Sequence, residues 1–111
     1  MNDIRFIEME KEVIRLILQE NSKWSYLLQD NFMITKREFT GVGFYTDFYK
    51  KVIKIRKFEN ARISTVGGIL NEKIQVGFVL FIEEGQLDVL EGYTYDEPWP
   101  EKITAYKIFE N

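Results

Sequence analysis

The sequence predicts an α+β fold in which an N-terminal helix, or helix pair, packs on a mainly antiparallel sheet of about five strands. Apolar residues recur at helical spacing over residues 1–20, and short runs of β-branched and aromatic residues begin after Asp30 and Asn31. A hairpin signature at Glu84 and Gly85 separates two of these runs. With 111 residues and a hydrophobic content of 45%, residues 1–111 are expected to form a single domain around one core.

The first element is predicted to be an amphipathic helix from Asp3 to about Gln19, with Asn2 or Asp3 capping its first turn. Its apolar positions recur three and four residues apart, at Ile4, Ile7, Ile14, Ile17 and Leu18. The next stretch, NSKWSYLLQDN, has apolar residues at helical spacing at Trp24, Leu27 and Leu28. It is predicted to form a second short helix or a turn.

The remainder of the chain is predicted to form the sheet. Residues 33–50, MITKREFTGVGFYTDFYK, form either one long strand bent at Gly41 or Gly43, or two strands around a tight turn, because glycine serves both purposes. Three further stretches have the composition of strands: RISTVGGIL at 62–70, the hairpin QVGFVLFIEEGQLDVLEGYTY at 75–95, and ITAYKIF at 103–109. The lysine-rich segment 49–62 most resembles a loop.

The strand between Val76 and Ile82 is apolar on both sides, although an antiparallel sheet with a helix on one face commonly leaves the other face polar. Alternation places one set of side chains at Val76, Phe78, Leu80 and Ile82, and the other at Gly77, Val79 and Phe81. We therefore expect the second face to be covered by sheet curvature, by the loop that carries Trp99, by a ligand or by a second chain.

Charge is unevenly distributed along the chain, although the net charge is only −3. The basic side chains of the central segment are Lys36, Arg37, Lys50, Lys51, Lys54, Arg56, Lys57 and Arg62. Between Lys73 and Lys102 there is no basic residue, and the acids are Glu83, Glu84, Asp88, Glu91, Asp96, Glu97 and Glu101. Either the two surfaces are solvated and face each other across the fold, or the acidic surface binds a basic partner.

The composition restricts the chemistry that the protein can perform. The chain has no cysteine and no histidine, which excludes disulfides, thiolate metal sites and triads built on either residue. Residues 41–43, GVG, lack the third glycine and the following helix of a dinucleotide-binding fingerprint. No cofactor, metal site or catalytic motif is predicted, and a non-enzymatic role is favoured.

Charged and apolar residues alternate over residues 1–20, unlike in a signal peptide or a membrane span. A soluble cytoplasmic protein without a membrane partner is therefore expected. Nucleic acid is not favoured as a partner either. Tyr49 and Phe58 border a basic segment and could stack on bases, but the acids of the C-terminal half would repel a phosphate backbone.

The candidate binding site is the stretch LEGYTYDEPWP, Leu90–Pro100, which combines acids, tyrosines and a tryptophan between two prolines. Trp99 either latches the hairpin to the last strand or acts as an interface hot spot. The candidate binding residues are Glu91, Tyr93, Tyr95, Asp96, Glu97, Trp99 and Arg37.

Arg37 belongs to this set because Glu91 needs a partner if it is buried. Simple alternation from Leu87 places Glu91 on an apolar face unless a bulge intervenes at Leu90. A buried carboxylate must be paired, and Arg37 or Arg62 on the basic strands could serve. A buried ion pair that fixes strand register is favoured over a catalytic one.

Two segments, REFTGVGFYTDF at 37–48 and GFVLFIEEGQLDVLEGYTYDEPWP at 77–100, resemble a group of small, mostly uncharacterised bacterial proteins. That group shares an RExTGxGF segment and a hairpin ending in LEGYTYxxxWP. The resemblance covers the central and C-terminal two-thirds of the chain and implies no activity, catalytic residue or cofactor. In size, acidity and element order the chain is also weakly similar to bacterial immunity proteins, which neutralise toxins.

Three functional hypotheses follow. The favoured one is non-enzymatic binding of a protein, in the manner of an immunity protein, through the acidic and aromatic C-terminal region. The second is a small-ligand site or a carboxylate-based enzyme in the concave face of the sheet, using Glu91 with Arg37 or a tyrosine. The third is self-association through the second apolar face of the sheet.

Overall fold

The computed structural model describes residues 4–52 and 59–111 and has the predicted α+β architecture. Helix α1, Ile4–Glu20, is followed by a 3₁₀ helix, Ser22–Gln29. The strands are β1 Ile34–Phe39, β2 Gly43–Phe48, β3 Ala61–Leu70, β4 Ile74–Glu83, β5 Gln86–Thr94 and β6 Tyr106–Glu110. The proposed cap residues Asn2 and Asp3, and part of the lysine-rich segment, lie outside the described residues.

Among the described residues the sheet has six strands, where about five were predicted, because residues 33–50 form a hairpin and not one bent strand. The amide of Thr40 donates to the carbonyl of Gly43 at 2.9 Å, and Gly41 has a φ of +92°, a value that glycine adopts without strain. At Gly43, a Cβ would lie 2.0 Å from the carbonyl oxygen of Gly92, so the close approach of β2 to β5 also requires glycine.

The strands lie in the order β1-β2-β5-β4-β3-β6, and every neighbouring pair is antiparallel. The β4–β5 hairpin turns at Glu84 and Gly85, as predicted, and forms the centre of the sheet. The β1–β2 hairpin pairs with β5, and β6 closes the opposite edge beside β3. Among the described residues, no helix has the length and apolar character needed to cross a membrane.

Helix α1 packs on one face of the sheet, with a buried stripe that differs from the predicted one at its start. Ile4 is 75% exposed and Ile7 is half-buried, whereas Phe6 is fully buried. The stripe comprises Phe6, Met9, Glu10, Val13, Ile14, Ile17 and Leu18. The ring of Phe6 sets this rotation, because it lies 4.9 Å from the ring of Phe44 and 5.4 Å from that of Phe39.

We call the side of the sheet turned away from α1 the open face. The loop that carries Trp99 does not cover it, because Trp99 packs edge-to-face on Phe44, on the side of α1, with 5.3 Å between ring centroids. The open face has a small apolar centre of its own around Val79, which is only 3% exposed yet does not belong to the main core cluster. Tyrosines and charged residues surround this centre.

Candidate functional site

A β-bulge in β5 decides which side chains reach the open face. Leu87 pairs with Ile82, whereas Val89 pairs with Phe81, so Asp88 is the extra residue. The bulge therefore lies at Asp88 and not at Leu90. Beyond it, Leu90 is fully buried towards α1, and the side chains on either side of Leu90 point to the open face.

Glu91 is therefore on the open face, half-buried, and its hydrogen-bonding partner is Tyr45. The Tyr45 hydroxyl donates to Glu91 Oε2 at 3.2 Å, because the two residues face each other across the β2–β5 pairing. The negative charge of Glu91 and this hydrogen bond raise the pKa of Tyr45 above its ordinary value of 10.0. Only the register between two strands distant in sequence brings this pair together, so the sequence alone could not reveal it.

Tyr93 and Tyr95 stack on the same face with their rings nearly perpendicular, 5.6 Å apart between centroids. The ring of Tyr93 lies against Gly77, where an added Cβ would come within 2.5 Å of the ring. Burial, followed by a hydrogen bond to Tyr95, raises the pKa of Tyr93. The glycine on the neighbouring strand thus provides the space that holds an aromatic contact surface in place.

The chain then leaves the sheet through an exposed acidic turn. Tyr95 is 56% exposed, and Asp96 and Glu97 follow it in fully solvated positions. The Thr94 hydroxyl donates to the carbonyl of Glu97, and the Thr94 amide donates to the carbonyl of Val42 at 2.9 Å. Val42, residues 94–97 and Pro98 line a shallow hollow of about 610 Å³.

Trp99 lies on the other side of this turn, in the main core. It is 7% exposed, and its amide donates to the carbonyl of Gly41 at 2.9 Å. It therefore fastens the turn to the β1–β2 hairpin rather than to the last strand. Its indole Nε1 is buried and has no hydrogen-bonding partner among the described residues.

Arg37 also lies on the side of α1, where its partner is Glu10. The guanidinium donates from Nη2 to Glu10 Oε1 at 2.6 Å and from Nε to Oε2 at 3.2 Å, and Thr46 Oγ1 donates to Oε2 at 2.5 Å. The guanidinium also lies 5.7 Å from the centre of the Phe6 ring. The predicted buried ion pair exists, but its acid is Glu10.

The carboxylate of Glu91 and the guanidinium of Arg37 are therefore on opposite faces of the sheet. A pocket that uses both groups, one of the two forms of the ligand or enzyme hypothesis, is therefore not formed. The other form paired Glu91 with a tyrosine, and Tyr45 is the tyrosine that bonds it. Arg62 is not the partner of Glu91 either, because its guanidinium lies over the ring of Phe81, 5.9 Å from the centroid. Of the candidate residues, the structure brings together Glu91, Tyr93, Tyr95, Asp96 and Glu97.

Part of the acidic surface is neutralised within the fold. Lys50 binds Glu83 at 2.7 Å and also contacts Asp88, and Lys23 binds Glu59 at 2.6 Å. By contrast, Glu91, Asp96 and Glu97 make no ion pair with any described residue. Within the described ranges, no group of three or more acidic side chains is arranged to hold a metal ion.

Comparison with known proteins gives no assignment: no protein-family model, curated protein or solved structure matches the chain.

Proposed function

We propose that this protein is a non-enzymatic protein-binding domain that recognises a partner with exposed basic side chains. Its binding surface, which we call the acidic–aromatic surface, consists of Tyr45, Glu91, Tyr93, Tyr95, Asp96 and Glu97. The observation that carries the proposal is the combination of the exposed Tyr95, packed on the half-buried Tyr93, with carboxylates that have no ion-pair partner in the described part of the chain.

Tyrosine suits such a surface because it contributes a large contact area and loses little conformational entropy on binding. Tyr93 is already held between Gly77 and Tyr95, so little ordering is needed. Lysine or arginine side chains of a partner can lie on the rings and pair with the neighbouring carboxylates. The similarity to immunity proteins in size and acidity supports the same kind of partner.

The direction of the tyrosine pKa shifts makes these phenols hydrogen-bond donors rather than general bases. Tyr45 and Tyr93 both have pKa values raised above 10.0, so their phenols remain protonated at neutral pH. A general base needs a pKa near the working pH, which these groups do not have. They serve instead as hydrogen-bond donors and contact surfaces.

The test is affinity capture of partners from the source cells, followed by titration of the purified captured protein. Tyr95→Ala, and Asp96→Lys combined with Glu97→Lys, are expected to weaken binding by about tenfold or more, with a strong dependence on salt. The matched control is Glu8→Lys with Glu12→Lys, which makes the same charge change on the exposed side of α1. Equal binding by all variants at unchanged folding would overturn the proposal.

A further inference from the structure

The open face is divided by charge into two halves of three strands each. On the half formed by β1, β2 and β5, the open-face acids are Glu38, Asp47 and Glu91, with Lys36 as the basic exception. On the half formed by β4, β3 and β6, the basic residues are Arg62 and Lys107, while Glu83 is neutralised by Lys50. The division falls between β5 and β4, at the middle of the sheet.

Apolar side chains lie along this dividing line. Val79 and Phe81 on β4 neighbour Val89 on β5. Phe109, whose ring is 40% exposed, lies apart from this line, on the edge strand β6. Neither α1 nor the Trp99 loop reaches them, since both lie on the other side of the sheet. An apolar strip between an acidic and a basic half is the pattern of a surface that is complementary to itself.

We propose that the partner of the open face is a second copy of this chain, packed face to face about a two-fold axis that runs along the strands between β4 and β5. Such an axis places β5 over β4, β2 over β3 and β1 over β6 of the other copy. Each acidic half then meets a basic half, and the two apolar strips meet at the axis. Asp47 and Arg62 lie in the same row across the sheet, so they oppose each other between copies.

The same symmetry provides basic groups for the acidic turn. Lys73, in the β3–β4 turn, lies at the same end of the sheet as Tyr95, Asp96 and Glu97, since Val76 pairs with Thr94. Because the axis runs along the strands, the same ends of the two sheets lie together. Lys73 of one copy therefore approaches the acidic turn of the other. This inference rests on the proposed function, because it names the protein that the acidic–aromatic surface binds.

The face is large enough for a specific dimer. Six strands at about 4.8 Å spacing and about eight residues of about 3.3 Å each cover about 760 Å² per copy. Two copies would bury about 1,500 Å², within the range of specific interfaces, and the opposed charges make the dimer sensitive to salt.

The test uses two double variants of the full chain that shift the net charge of the open face in opposite directions. Glu38→Lys with Asp47→Lys makes it basic, and Arg62→Glu with Lys107→Glu makes it acidic. Sedimentation equilibrium at low salt, up to about 500 µM, is expected to give a dimer for the wild type and about tenfold or greater weakening for each variant alone. An equimolar mixture of the two variants should restore the dimer, because positions 47 and 62 are again of opposite sign between copies and the two faces again differ in charge.

The matched controls place the same charge changes on α1: Glu8→Lys with Glu12→Lys, and Arg5→Glu with Lys11→Glu. These variants should dimerise like the wild type, and circular dichroism should find all variants folded. A wild type that stays monomeric, a dimer that is indifferent to the open-face variants, or a mixture that fails to associate would each overturn the inference. A monomer that still binds a captured partner through the acidic–aromatic surface would leave the proposed function standing.

Discussion

The two faces of the sheet are built from alternating residues of the same strands, yet they treat their charged groups in opposite ways. Beneath α1, the carboxylate of Glu10 is buried and receives three hydrogen bonds from Arg37 and Thr46. On the open face, Glu91 receives one hydrogen bond, from an exposed tyrosine. The buried carboxylate is thus paired within the fold, whereas Glu91 makes no ion pair with a described residue.

The largest loss of stability is expected from removing the carboxylate of Glu10 beneath α1. Replacing Glu10 by Ala leaves the largely buried guanidinium of Arg37 without its counter-charge, which should lower the free energy of unfolding by about 3–5 kcal/mol. Urea denaturation measures this loss. Glu91→Ala on the open face is the control and should change stability by less than about 0.5 kcal/mol. Equal losses at the two positions would remove the distinction between the faces.

A second comparison of the two faces uses two glycines on neighbouring strands, Gly92 on β5 and Gly77 on β4. A Cβ at Gly92 would lie 2.2 Å from Cε1 of Phe44, a buried ring held against Phe6 and Trp99, so Gly92→Ala should cost about 1–3 kcal/mol. A Cβ at Gly77 would meet the ring of Tyr93 at 2.5 Å, but this ring lies on the open face and can swing outward. Gly77→Ala should therefore cost less than about 1 kcal/mol. Thermal and urea unfolding of both variants would test this order, and a larger loss at Gly77 would contradict it.

The smallest expected effect is a shift in the pKa of Tyr45. Because Glu91 raises the pKa of Tyr45 in the folded state, the protonated phenol and its hydrogen bond are complete below pH 10.0 and are lost as the pH rises through the folded pKa. Glu91→Gln removes the negative charge and should move the pKa of Tyr45 down towards its ordinary value. A pH titration of the labelled Tyr45 ring by NMR measures the shift. An unchanged pKa would mean that the pair does not form in solution.

The sequence predicted those elements whose signals are local. The helical spacing of residues 4–18, the change of composition after Asn31 and the turn at Glu84 and Gly85 each depend on neighbours in the chain, and each was confirmed. The number of strands was predicted only approximately, because residues 33–50 allowed two solutions that the local pattern could not separate. The hydrogen bond from Thr40 to Gly43 decides between them.

The candidate site was only partly predictable, because its assembly depends on pairing between distant strands. Five neighbouring candidates from Glu91 to Glu97 lie close together because they follow one another in the chain. Arg37 was assigned the wrong acid, since Glu10 was not recognised as part of the buried helix stripe. Its position four residues after Phe6 and four before Ile14 was the available signal. The packing of Trp99 on Phe44 left no signal in the sequence.

The pairing of β2 with β5 also governs how fast the protein can fold. Tyr45 and Glu91, which meet there, are 46 positions apart, whereas β3, β4 and β5 follow one another through tight turns. Closing a long loop costs chain entropy before its contacts form, so the three-stranded unit should assemble first and the β1–β2 hairpin should dock in the rate-limiting step. That single step brings Arg37 and Thr46 to Glu10 on one face and Tyr45 to Glu91 on the other. Until that step, the edge of β5 that pairs with β2 lacks its partner strand, and an unpaired strand edge is a template for misassembly.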